Sequence, residues 1–78
     1  RGEALRDYWF RKLDKAASAF LRALCESYPA TMTRDQLADR TSYSRESGHV
    51  DNTLSALRSR DLVTGGRHEI RASDDLFG

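Results

Sequence analysis

The rhythm of apolar and polar positions changes three times along the chain. Over residues 3–28 it is helical. On a wheel turned by about 100° per residue, Leu13, Ala17, Phe20, Leu24 and Tyr28 share one side, and Lys15, Ser18, Arg22 and Glu26 lie opposite. Trp9 and Phe10 continue the apolar stripe backwards, whereas Leu5 and Tyr8 fall off it. That mismatch predicts a bend or break near Leu13 and Asp14, with Asp14 as the N-cap of the second part. Pro29, the one proline of the chain, disfavours helical backbone at Tyr28, so this segment should end at about Ser27. Arg22 and Glu26 stand i,i+4 on the wet side and read as an ion pair contributing about 0.2–0.5 kcal/mol.

The second rhythm is short. Thr33, Arg34, Asp35 and Gln36 fit a capping box, with Thr33 as N-cap and Gln36 at the third helical position, while Met32 and Leu37 occupy the two positions of a hydrophobic staple. A helix over about 34–40 follows, with Leu37 and Ala38 on its apolar side. It runs into the polar turn Thr41, Ser42, Tyr43, where Tyr43 is an aromatic plug. A third helix then begins after Ser44 or Ser47, either of which can cap it, and runs to about Arg60. Its buried face is Val50, Leu54 and Leu57, spaced i, i+4, i+7.

Past residue 60 the period becomes that of strands. Leu62 and Val63 form a short strand, Gly65 and Gly66 a two-residue hairpin turn in which both tolerate positive φ, and residues 67–72 the return strand with Ile70 inward. Leu76 and Phe77 should fold back on the core. The expected core is Trp9, Leu13, Phe20, Leu24, Leu37, Val50, Leu54, Leu57, Leu62, Ile70 and Leu76. The fold class is therefore mainly α with a small β-hairpin (α+β), with three core helices. A plain three-helix bundle ending in a loop is the alternative, and the Gly-Gly hairpin argues against it.

The order of helix, short capped helix, polar turn, longer helix and hairpin resembles a winged helix-turn-helix domain. Residues 33–60 would be the helix-turn-helix and the hairpin the wing. Tyr28-Pro29, Thr33-Arg34, Leu37-Ala38, Thr41, Tyr43-Ser44, Ser47-Gly48, Asn52, Leu54, Leu57-Arg58 and Leu62 resemble C-terminal winged-helix segments of bacterial and mobile-element proteins, some with an ATPase part. The resemblance implies a bacterial or phage origin, an appended domain, and double-stranded DNA as the commonest partner of such folds, with protein contacts second.

The third helix can be tested for that role. With Arg45 at zero on the wheel, the side opposite the core holds Arg45, Gly48, His49, Asn52, Ala56 and Ser59, without an acid; Glu46 and Asp51 lie to the sides. A helix entering a major groove needs such a face. Arg45 can donate twice to guanine and Asn52 can pair with adenine. His49 is either a base reader or simply an exposed polar residue. Gly48 permits close approach, Ser44 and Ser47 can donate to phosphate, and the helix N-terminus favours an anion. On the wing, Arg67, His68 and Arg71 suit the backbone or minor groove. The same residues also make an ordinary solvated surface. Arg58 and Arg60, at the end of the third helix, either contact phosphate or complement the helix C-terminus electrostatically.

Composition limits the function. The chain has 78 residues, 13 Lys+Arg against 12 Asp+Glu, and a net charge of +1. This excludes a strongly basic, histone-like binder but leaves room for a local patch. One domain fits this length, read as a helical extension over 1–13 and the winged domain over 14–78. A single Cys25 excludes an internal disulfide and, alone, a zinc site; it reads as partly buried filler. No apolar run would span a membrane and no signal peptide is visible, so a cytoplasmic location is expected. Arg1 at the first position points to a fragment of a larger protein. Neither nucleophile elbow nor phosphate loop is present, so no catalytic residue, cofactor or metal is expected. Tyr8, Trp9 and Phe10 exceed what the first stripe needs, and the rival reading gives them a partner interface, either to a second copy or to the parent protein.

Overall fold

The computed structural model describes residues 2–66 and 68–77. It is mainly helical with a small antiparallel hairpin: α1 (Glu3–Lys12), α2 (Lys15–Ser27), α3 (Arg34–Arg40), α4 (Gly48–Ser59), β1 (Val63–Thr64), β2 (Arg71–Ala72) and a closing 3-10 turn, Asp74–Phe77. No helix among the described residues is long and apolar enough to cross a membrane.

The break in the first segment falls where the stripe loses its phase. Leu13 is extended and Asp14 caps α2, its Oδ1 accepting from the Ala17 N–H at 2.9 Å. The capping box closes as its residue types require. Thr33 Oγ1 accepts from the Gln36 N–H at 3.1 Å, and Gln36 Oε1 accepts from the Thr33 N–H at 2.9 Å. Ser47, not Ser44, caps α4, its Oγ accepting from the His49 N–H at 3.1 Å.

Helix α2 is the centre of the molecule, with α1, α3, α4 and β2 all packed on it. Being covered from several directions, it buries Ala16, Ala17, Phe20, Leu21, Ala23 and Leu24. These span an arc of roughly 160° at 100° per residue, far wider than a single stripe. This corrects the expected core. Leu21 is fully buried, whereas Trp9 and Leu13 are only half-buried at the margin, because α1 lies outside α2 and leaves no residue fully covered. Phe20, Leu24, Leu37, Val50, Leu54, Leu57, Leu62, Ile70 and Leu76 take the core positions expected of them. Tyr43 plugs the turn after α3, edge-on to Phe20 with ring centroids 5.4 Å apart. The expected Arg22–Glu26 pair does not form. Glu26 accepts from Arg40 Nη2 at 2.8 Å, and Arg22 lies over the Phe10 ring at 4.4 Å.

The hairpin differs from a two-residue turn. Val63 pairs with Ala72 and Thr64 with Arg71, so residues 65–70 form the connection. Among its described glycines only Gly65 has positive φ, +90°. Burial sets this register. It puts Val63 opposite Ala72 and leaves Ile70 on the same inward face, all three buried. A turn confined to the two glycines would instead oppose Val63 to His68. Ile70 turns its other edge to Met32: each N–H donates to the other's carbonyl at 2.8 Å. Leu76 is buried, and Phe77 stacks on Tyr28 with centroids 3.8 Å apart.

Candidate nucleic-acid interface

Helix α4 starts at Gly48, so Ser44 and Arg45 belong to the preceding turn and the wheel that placed Arg45 on the helix begins too early. Arg45 Nε donates to Asp39 Oδ1 at 3.0 Å and Nη2 to Oδ2 at 2.5 Å; Asp35 lies 3.9 Å from Nη1. One edge of the guanidinium fork is taken by an α3 carboxylate, in a pair that stays exposed to solvent. The same hydrogen bonds hold the Asp39 carboxyl below the usual carboxylate range and raise the Arg45 guanidinium.

Around the turn runs a second, deeper arrangement that the sequence reading missed. Arg34, at the first position of α3, is 7% exposed. Its Nε donates to Asp51 Oδ1 at 2.6 Å and its Nη2 to Asp51 Oδ2 at 3.3 Å. Nη2 also donates to the Ser47 carbonyl at 3.2 Å, and Nη1 to the Arg45 carbonyl. Asp35 Oδ1 lies 3.4 Å from Nη1. One side chain thus holds the start of α3, the turn and the first turn of α4. The sequence carried one signal for it: a cation at the first helical position opposes the helix dipole and needs a reason.

On α4 itself, His49, Asn52, Ala56 and Ser59 are exposed. Asn52 has no side-chain partner among the described residues. The His49 ring lies tilted against Tyr43, centroids 5.7 Å apart. A Cβ built on Gly48 would meet nothing within 4 Å, so no neighbour demands glycine there. Between α4 and the hairpin lies a groove of about 370 Å³. Asp51, Ser55 and Arg58 line one side, Gly65 and Gly66 the other, with Arg34 at its base. His68 is exposed and borders a neighbouring cleft with Thr33, Arg34 and Asp35.

The wing arginines separate. Arg67 lies outside the described residues. Arg71 is turned to the chain's C-terminal end, with Nη2 3.4 Å from Asp74 Oδ1 and the guanidinium 5.8 Å from the Tyr28 ring centre. The Tyr28 hydroxyl donates to the same Asp74 oxygen at 2.6 Å, which raises the phenol's pKa.

Of the aromatic trio, Tyr8 is 49% exposed, while Trp9 and Phe10 pack partly against the core. Tyr8 meets Trp9 edge-on at 5.2 Å, and Arg60 lies 5.7 Å above the Trp9 ring centre. Helix α1 is tied down at two further points. Ser18 Oγ donates to the Phe10 carbonyl at 3.1 Å, and Arg6 Nη1 to the Leu76 carbonyl at 2.8 Å. Comparison of the chain with protein-family models, with curated proteins and with solved structures gives no match.

Proposed function

We propose that this chain is a winged helix-turn-helix module that binds double-stranded DNA, with α4 in the major groove and the hairpin on the backbone. The observation that carries the reading is the exposed, acid-free side of α4, formed by His49, Asn52, Ala56 and Ser59, beside a groove that ends at the hairpin. Asn52 has its amide available for an adenine edge, and His49 lies one turn N-terminal on the same side. The Ser44 and Ser47 hydroxyls, as donors, suit phosphate, as does Arg58 on the α4 side of the groove. Arg45 takes a different role from the one its position in the chain suggests. Bound to Asp39, it positions the turn, and base contact falls to Asn52 and His49. His68, Arg67 and the backbone at Gly65 and Gly66 serve the wing.

Fluorescence anisotropy of labelled duplex DNA, titrated at several salt concentrations, tests this. Phosphate contacts appear as a linear fall of log affinity with log salt. Absence of binding at about 50 mM salt would remove the proposal.

The half-exposed Tyr8 beside Trp9 favours a second reading, a protein-interaction module that uses α1. Sedimentation showing a monomer at high concentration would remove its self-associating form.

A further inference from the structure

On a face that the DNA reading does not use, α1, α2 and the C-terminal turn enclose a cleft of about 270 Å³ lined by Arg6, Phe10, Arg22, Cys25, Glu26 and Phe77. Its construction follows from helix spacing. Arg6 and Phe10 stand i,i+4 on α1, Arg22 and Glu26 stand i,i+4 on α2 with Cys25 between them, and Phe77 closes the end. Each arginine lies over a ring: Arg6 is 4.7 Å from the Phe77 centre and Arg22 4.4 Å from the Phe10 centre. A guanidinium held over a ring by cation–π attraction has N–H groups left for an acceptor. Arg6 uses one of them on the Leu76 carbonyl. Among the described residues neither guanidinium is paired with a carboxylate. Two cations therefore share one cleft between two aromatic walls and a half-buried thiol, and the one acid that lines it among the described residues, Glu26, is engaged by Arg40.

We infer that this cleft binds a carboxylate carried on a small apolar body, with Arg22 and Arg6 on the carboxylate and Phe10, Phe77 and Cys25 against the apolar part. The planar guanidinium fork matches a carboxylate edge. The volume lies just below the roughly 300–1,000 Å³ of small-ligand pockets, which limits the ligand to a small body such as a single ring. Such a group is supplied either by a free aromatic acid or by the C-terminal residue of a peptide. Burial pushes the Cys25 thiol up to about 11, with the Arg6 cation opposing and Glu26 adding to it, so the thiol stays neutral and apolar in character at pH 7.

The test is an NMR titration of the 78-residue chain with benzoate, benzamide, inorganic phosphate and acetyl-Gly-Gly-Phe with a free carboxylate. Benzoate should shift the amides of Phe10, Arg22 and Cys25, bind at least about tenfold more tightly than benzamide, and slow alkylation of Cys25 by iodoacetamide. Arg22→Gln, on the solvent side of α2, should lose about tenfold in benzoate affinity, and Glu26→Gln should gain about twofold. Acetyl-Gly-Gly-Phe binding above benzoate would assign the source to a peptide terminus; benzoate binding alone would assign it to a free acid. Benzamide binding as well as benzoate, phosphate reproducing the benzoate shifts, or Arg22→Gln keeping both its circular dichroism and its benzoate affinity would each overturn the inference. DNA binding by the α4 face is read separately and stands or falls on its own titration.

Discussion

Arg34 and Asp51 join the first residue of α3 to the first turn of α4 through two hydrogen bonds, of 2.6 and 3.3 Å. The same guanidinium takes the carbonyls of Arg45 and Ser47, so the turn between the two helices closes around one buried cation. Removing Arg34 takes away the donor that now holds the Arg45 and Ser47 carbonyls and breaks the ion pair with Asp51, and hydrogen bonds left unmade at part-buried carbonyls are costly. Arg34→Ala should lower the thermal midpoint by on the order of 5 °C or more. Arg34→Lys should restore little, because one ammonium cannot reach four acceptors in a fork geometry. Differential scanning calorimetry of the two variants checks this, and equal midpoints for all three proteins would refute the clamp.

The Asp39–Arg45 pair makes a pH prediction. The folded-state pKa of Asp39 is lowered, chiefly by its hydrogen bonds to Arg45. A depressed carboxyl contributes stability above its unfolded value, about 3.9, and loses it as pH falls through the folded value. The native chain should therefore lose more stability than Asp39→Asn as pH falls from about 5 to about 2. Urea melts across that range provide the comparison; parallel profiles would show that the pair contributes nothing measurable.

Two adjacent glycines should behave differently. Gly65 has φ of +90°, and a Cβ there would sit 1.8 Å from the Glu69 carbonyl oxygen. A Cβ on Gly66 meets nothing within 4 Å. Gly65→Ala should destabilise by more than about 1 kcal/mol, and Gly66→Ala should stay within about 0.5 kcal/mol of the parent. Chemical denaturation of both variants tests whether the connection is held by backbone approach at Gly65.

For DNA, Asn52→Ala should weaken specific binding by about 1–3 kcal/mol and relax base preference at one position. Arg45→Ala should shift the thermal midpoint more than it shifts base preference, because Asp39 already occupies its fork. Selection of preferred sites from a random duplex library, run on each variant, separates the two. A changed base preference for Arg45→Ala with that of Asn52→Ala unchanged would reverse the assignment.

Local structure was legible in residue types because its forces are local. Asp14 and Thr33 with Gln36 satisfy N–H groups within three residues of themselves, so the starts of α2 and α3 can be read without knowing what surrounds them, whereas residue types offered both Ser44 and Ser47 for α4 and the fold settled on Ser47. The inward faces of α3 and α4 follow from a period of about 3.6. Long-range relations were not legible. Arg22 stands in line with Glu26, yet Arg40 takes the acid and Phe10 the guanidinium, because helices distant in sequence bring those partners closer. Arg45 read as a free donor because nothing in the residue order shows Asp39 reaching it across the turn.

The order of elements, their caps and the exposed polar side of α4 were set by the chain's own spacing of apolar, capping and turn residues, where each interaction spans a few residues. Tertiary packing decided three further things: how much of α2 is buried, which register the hairpin takes, and which arginines are committed. Burial sums over every neighbour of a helix, strand register follows from which side chains leave water together, and a guanidinium pairs with whichever acceptors the fold brings within reach.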